Sequence, residues 1–152
     1  MLALTEPFRA IFVLSLGAWI GVLSLSILGI SLLTRRLGRD DSWPAIRNLA
    51  PLADLAGTWA GALAAIALFF GRRGYSFSWA AALFLVAIMV TASLYDRAVL
   101  LPSLDAAWKR LRAGADAEKW EADWRFLWRM AAWARAATLA MGAGALVFGL
   151  LS

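Results

Sequence analysis

The sequence predicts an all-α fold, a four-transmembrane-helix bundle with a cytoplasmic amphipathic helix before a long fourth helix. Three observations carry that prediction. Hydrophobic residues make up 62% of the 152 and charged residues only 16%, whereas a soluble domain is nearer half apolar and a quarter charged. Charge-free apolar stretches recur four times, each close to the ~20 residues that a helix needs to cross a hydrocarbon core ~30 Å thick. The 15 Lys and Arg residues gather mainly between these stretches.

The first stretch, Ala10 to Leu33, runs 24 residues without a charge. That exceeds the 7 to 15 residues of a signal-peptide core, and no small-x-small cleavage site ends it before Arg35 and Arg36, so it reads as a retained span. The second, Leu55 to Gly71, has 17 residues bordered by Asp54 and Arg72, and the third, Gly74 to Tyr95, has 22. The last, Ala136 to Ser152, also has 17, but its apolar pattern extends back to Met130 if Arg135 snorkels at the membrane edge. The chain is thus expected to form a single membrane domain, residues 1–152, with spans at about 10–33, 52–71, 75–99 and 130–151 and a helical loop at 103–129.

Orientation follows from the basic residues, which are in excess on cytoplasmic loops. Eleven fall in the first and third connections, between Thr34 and Pro51 and between Asp96 and Arg129, against Arg9, Arg72 and Arg73 on the other side. The sequence therefore predicts a multi-pass protein of a bacterial inner membrane with both termini periplasmic.

The third connection supplies its own structure. Pro102 is expected to end the third span and Ser103 to cap a short helix that presents Leu104, Trp108 and Leu111 on one face until Gly114 stops it. Asp116 then caps a helix that continues through Trp120, Trp124, Trp128 and Trp133 into the fourth span, with no Pro or Gly before Gly142. Trp108, Trp120, Trp124 and Trp128, with Arg125 and Arg129, have the pairing of indole and cation that a headgroup surface selects, so these residues are expected at the membrane interface. Six acidic residues in this connection offset its seven basic ones, which leaves no basic patch for a nucleic acid despite the isoelectric point near 10.7.

Helices in lipid associate through small residues that allow close approach. The second span offers Ala53, Gly57, Gly61 and Ala65 at spacing four, the fourth offers Ala132, Ala136, Ala140 and Gly144, and the first adds Gly17 and Gly21. These are the expected packing seams or homo-oligomer contacts, with Ala67 taken to lie off the ridge. The predicted topology also brings Asp54, Asp96, Arg97 and Arg135 to one depth near the cytoplasmic edge. A carboxylate and a guanidinium placed there should pair. The structural role, ion pairs holding helix ends, is preferred to a proton or anion site. Thr58, Thr91 and Ser93 are the only nearby hydroxyls, and no polar path continues across the bundle.

The chain has no Cys and no His. That removes disulfides, thiolate nucleophiles, iron–sulfur clusters, imidazole-ligated haem and the Ser-His-Asp triad, and no pair of the remaining Ser, Asp, Arg and Tyr residues has motif spacing. No enzymatic activity, metal or cofactor is expected.

Residues 47–54 (RNLAPLAD) entering a span with Trp and Gly, the Tyr95-Asp96 exit followed by Pro102, and the Trp124 to Arg135 approach (WRFLWRMAAWAR) together resemble small uncharacterised bacterial four-helix membrane proteins near the copper-resistance D families. Members often carry a histidine in the first span. Here Gly17-Ala18-Trp19 stands in that stretch, so the resemblance implies a fold and no metal or haem ligand.

Two functions compete. The first is a non-catalytic accessory or structural subunit, bound through its ridges to other membrane protein subunits or to its own copies. The alternative is a small transporter or binder of a hydrophobic molecule such as a quinone or lipid, in a cleft among Trp19, Trp59 and Phe69.

Overall fold

A computed structural model describes residues 6–71, 77–114 and 117–151. Every element among them is helical: α1 (Glu6–Leu37), α2 (Arg39–Gly71), α3 (Phe77–Tyr95), α4 (Leu101–Arg112) and α5 (Ala117–Leu151), with a π-helical turn, Asp96–Leu100, joining α3 to α4. Four helical rods, Glu6–Leu37, Asp41–Gly71, Phe77–Arg112 and Glu118–Leu151, are long and apolar enough to cross a membrane. The chain is a multi-pass membrane protein by that measure.

Each rod outlasts its apolar stretch. At 1.5 Å per residue α1 is about 48 Å long, well beyond ~30 Å of hydrocarbon. The first connection, expected as a loop, is almost entirely helix: α1 ends at Leu37, Gly38 turns the chain with φ +80°, and α2 begins at once. The Gly38 N–H donates to the Thr34 carbonyl at 3.1 Å, closing α1 with a left-handed residue that only glycine adopts freely.

Pro102 does not end the third helical rod. α3 passes through the π turn into α4 as one rod, with Leu101 N–H donating to the Asp96 carbonyl five residues back. Proline lacks an N–H and its ring collides with the carbonyl four residues earlier in an ordinary helix. The wider turn just before it opens the spacing there, and Ser103 consequently caps nothing. Leu101–Arg112 form the helix α4, which buries Leu101, Leu104 and Ala107. The proposed cap Asp116 lies outside the described residues.

The rods form a closed antiparallel ring. Gly57 and Gly61 of α2 meet Trp19 of α1, Gly61 also meets Val90 of α3, Gly142 of α5 meets Met89 of α3, and Gly149 meets Phe12 of α1. Two apolar clusters fill the ring. One gathers Phe12, Leu16, Trp19, Leu68, Val86, Met89 and Ala145, the other Trp43, Ile46, Leu100, Leu104, Trp124 and Ala131. On α2, on the α3–α4 rod and on α5 the boundary between the clusters falls at Asp54, at Asp96 and at Arg135 with Thr138, so one ionic layer separates them.

The seam on α5 is not the Ala132, Ala136, Ala140, Gly144 ridge. Residues 124, 131, 138, 142, 145 and 149 are buried, whereas Ala132, Ala136 and Ala140 are exposed and Gly144 is half-buried. Steps of four turn about 40° per step around a helix, while alternating steps of three and four stay on one face. The same reasoning keeps Gly57 and Gly61 buried but leaves Ala53 and Ala65 half-buried. Ala67 is fully buried. Gly17 and Gly21 are exposed, and a Cβ on either would meet nothing within 4 Å.

Candidate functional site

The π turn places Asp96 inside the bundle, and α5 places Arg135 opposite it. Arg135 Nε donates to Asp96 Oδ2 at 3.1 Å, and Nη2 lies 2.9 Å from the same oxygen. Both side chains are largely buried, at 11% and 5% exposure. Asp54, on α2, completes the layer. Its backbone carbonyl accepts a hydrogen bond from the Thr58 hydroxyl at 2.8 Å, but its Oδ2 is buried with no hydrogen-bond partner, as is Asp96 Oδ1. Asp54, Asp96, Ser93, Thr138 and Arg135 line one void of about 10 Å³. Arg97 faces outward and makes no ion pair among the described residues, so of the four charges brought to this depth three converge.

Arg135 also lines a second space. A cleft of about 340 Å³ opens between α1, α2, α4 and α5, walled by Ile27, Ile30, Trp43, Ile46, Leu104 and Trp128, with Arg35 and Arg135 as its charged groups. A groove of the same volume on the α1–α2 face, walled by Leu25, Gly29, Leu49 and Leu52, carries no charge at all. The first cleft therefore differs in chemistry rather than size: an apolar body and two guanidinium groups.

Within the Trp stripe, Trp124 turns into the bundle instead of toward the surface that its spacing suggested. Trp124 is buried and Trp128 half-buried, and both pack on Trp43: edge to face at 5.0 Å from Trp124 and at 6.2 Å from Trp128. The partner ring explains the change, since an indole buried among other rings is no longer available to headgroups. Trp120 lies under the Arg110 guanidinium at 4.4 Å and Trp108 is half-buried with Arg112 at 5.5 Å. Arg125 pairs with Glu121 at 3.1 Å, and Arg129 is exposed.

The cleft expected among Trp19, Trp59 and Phe69 does not form. Trp19 is 2% exposed against Gly57 and Gly61, whereas Trp59 and Phe69 point outward at 67% and 49%.

Sequence reasoning missed Trp43 and Asp105. Asp105 accepts from Lys109 at 2.7 Å and Arg47 at 3.1 Å, with a long contact to the Trp43 indole N–H at 3.5 Å. A signal for Trp43 existed: stepping back from Gly61 and Gly57 by threes and fours gives Asp54, Ala50, Ile46 and Trp43, every one of them buried.

No protein-family model matches the chain, and comparisons with curated proteins and with solved structures likewise find no match.

Proposed function

We propose that the chain is a non-catalytic protein of a bacterial inner membrane that holds a hydrophobic molecule, a quinone or a lipid, in the cleft between α1, α2, α4 and α5. The observation that carries this reading is the pairing of an apolar cavity of about 340 Å³ with Arg35 and Arg135. The rings of Trp43 and Trp128 and the Ile side chains suit a chain or a ring. The guanidinium groups suit a carbonyl or an acidic head. Arg135 is held by Asp96, which fixes its direction as seen from the cleft. No nucleic acid is involved, and both termini lie on the periplasmic side, with the α4–α5 connection in the cytoplasm.

Purification from native membranes in mild detergent, followed by extraction and mass spectrometry, tests the binding. One small molecule per chain is expected, and Ala132→Trp, which places an indole in the cleft, should displace it. Equal extracts from both proteins would refute the reading.

A second reading, an accessory subunit of a larger membrane complex, has its own support. Gly17 and Gly21 on α1 and Ala132, Ala136 and Ala140 on α5 form small-residue faces that this chain does not cover, and such faces admit a helix from another subunit or a second copy. Loss of co-purifying protein in Gly21→Leu would favour this reading.

A further inference from the structure

We propose that Asp54 and Asp96 seat one small monovalent cation, sodium, in the void between α2, the π turn and α5. The void has about 10 Å³, the space of a single water-sized particle. Two carboxylate oxygens, Asp54 Oδ2 and Asp96 Oδ1, are buried without a hydrogen-bond partner, and their residues are 7% and 4% exposed. Orphaned acceptors at such depth cost free energy unless something donates to or coordinates them.

Charge sets the kind of occupant. The buried layer holds two carboxylates and one guanidinium; Arg135 Nε donates to Asp96 Oδ2, and Nη2, 2.9 Å from that oxygen, makes no hydrogen bond of its own. The charged groups acting on Asp54 are Asp96, Arg135 and Arg97, and Arg97 is exposed. With both carboxylates ionised, one positive charge placed on the inner side of the layer balances it, where a neutral water would leave a net charge between two apolar clusters. Among the described residues no group of three or more His, Cys, Asp or Glu side chains could hold a metal ion. Two carboxylates with the Ser93 and Thr138 hydroxyls suit a monovalent ion rather than a divalent one. Arg135 is the one residue that lines both this void and the cleft.

The test is thermal unfolding of the full chain in detergent, exchanging sodium for N-methylglucamine at fixed ionic strength over a range of pH. At alkaline pH, a rise of about 5 °C at a hundredfold excess of sodium over its Kd identifies sodium. A rise of that size on acidification that sodium does not alter places a proton on a carboxyl group of the layer and overturns the sodium site. Asp54→Asn should abolish the dependence while keeping the fold, because its amide can donate toward Asp96 Oδ1. A melting temperature flat in sodium at every pH, or the same sodium dependence in Asp54→Asn, overturns the proposal. Should that variant not fold, the wild type decides: equilibrium dialysis giving one sodium per chain supports the site, and its absence overturns it. Ala132→Trp blocks the cleft without touching this void, so the two readings fail separately.

Discussion

Arg135 of α5 reaches across the bundle to Asp96 of the π turn, Nη2 lying 2.9 Å from Oδ2, and the pair sits where two apolar clusters meet. Removing one partner of a buried pair leaves the other charge uncompensated, which costs about 3–5 kcal/mol. Arg135→Ala should therefore lower the melting temperature in detergent sharply. In a double-mutant cycle with Asp96→Ala the coupling should be about 0.5–3 kcal/mol, whereas residues that do not touch would add. Additive effects would refute the pairing.

Trp19 lies flat across Gly57 and Gly61, its Cδ1 2.9 Å from where a Gly57 Cβ would stand. Gly57→Leu and Gly61→Leu should each destabilise the bundle by about 1–3 kcal/mol or more through overpacking. Gly17→Leu is the proper control, because its Cβ points into open space. Ala67, which the ridge pattern offers for that purpose, is buried and would itself clash as leucine. Equal melting temperatures for Gly17→Leu and Gly57→Leu would show that the seam carries no packing.

The four rods and the shared depth of Asp54, Asp96 and Arg135 were legible in the sequence because they depend on charge-free length and on charge position, both of which survive without coordinates. The helix faces were legible only in part. Gly57 and Gly61 were found by a spacing of four, yet the same spacing on α5 selected Ala132, Ala136 and Ala140, which turn off the seam that runs through Thr138, Gly142, Ala145 and Gly149. The role of the Trp stripe was hidden for another reason. Indoles beside cations look alike whether they face headgroups or a third ring, and Trp43, 81 residues before Trp124 in sequence, decides between them. Helix through Pro102 depended on the π turn, a local widening that residue propensities do not announce.

Asp105 links α4 to α2. Lys109 at 2.7 Å, then Arg47 and the Trp43 N–H, hold its carboxyl below the usual carboxylate value of 3.8, outweighing the opposite push of its partial burial. Its pKa is lower folded than unfolded, so its contribution to stability is complete above that ordinary value and is lost as pH falls through the folded one. Lys109 and Arg47 are about half exposed or more, which limits the effect to about 1 kcal/mol. The difference in stability between the wild type and Asp105→Asn should stay constant above about pH 5 and shrink in acid. A difference that grows with acidification would show that the carboxylate is not stabilised by these partners.

Orientation is the remaining expectation, and it rests on where the cations sit. Arg35, Arg36, Arg39, Arg47, Arg97, Lys109, Arg110, Arg112, Lys119, Arg125 and Arg129 belong to one end of the bundle by sequence, against Arg9, Arg72 and Arg73 at the other. Basic residues close to the ends of spans resist export, so the crowded end stays in the cytoplasm. The helical extension of the rods strengthens the expectation, because α4 and the first turns of α5 carry most of these charges on a rigid base rather than on a loose loop. A periplasmic phosphatase fused after Ser152 should be active, and one inserted after Gly114 inactive, with fluorescent-protein fusions giving the reverse. Fluorescence from the C-terminal fusion together with a silent phosphatase there would invert the topology, and would put Arg35 at the mouth of the cleft on the periplasmic side.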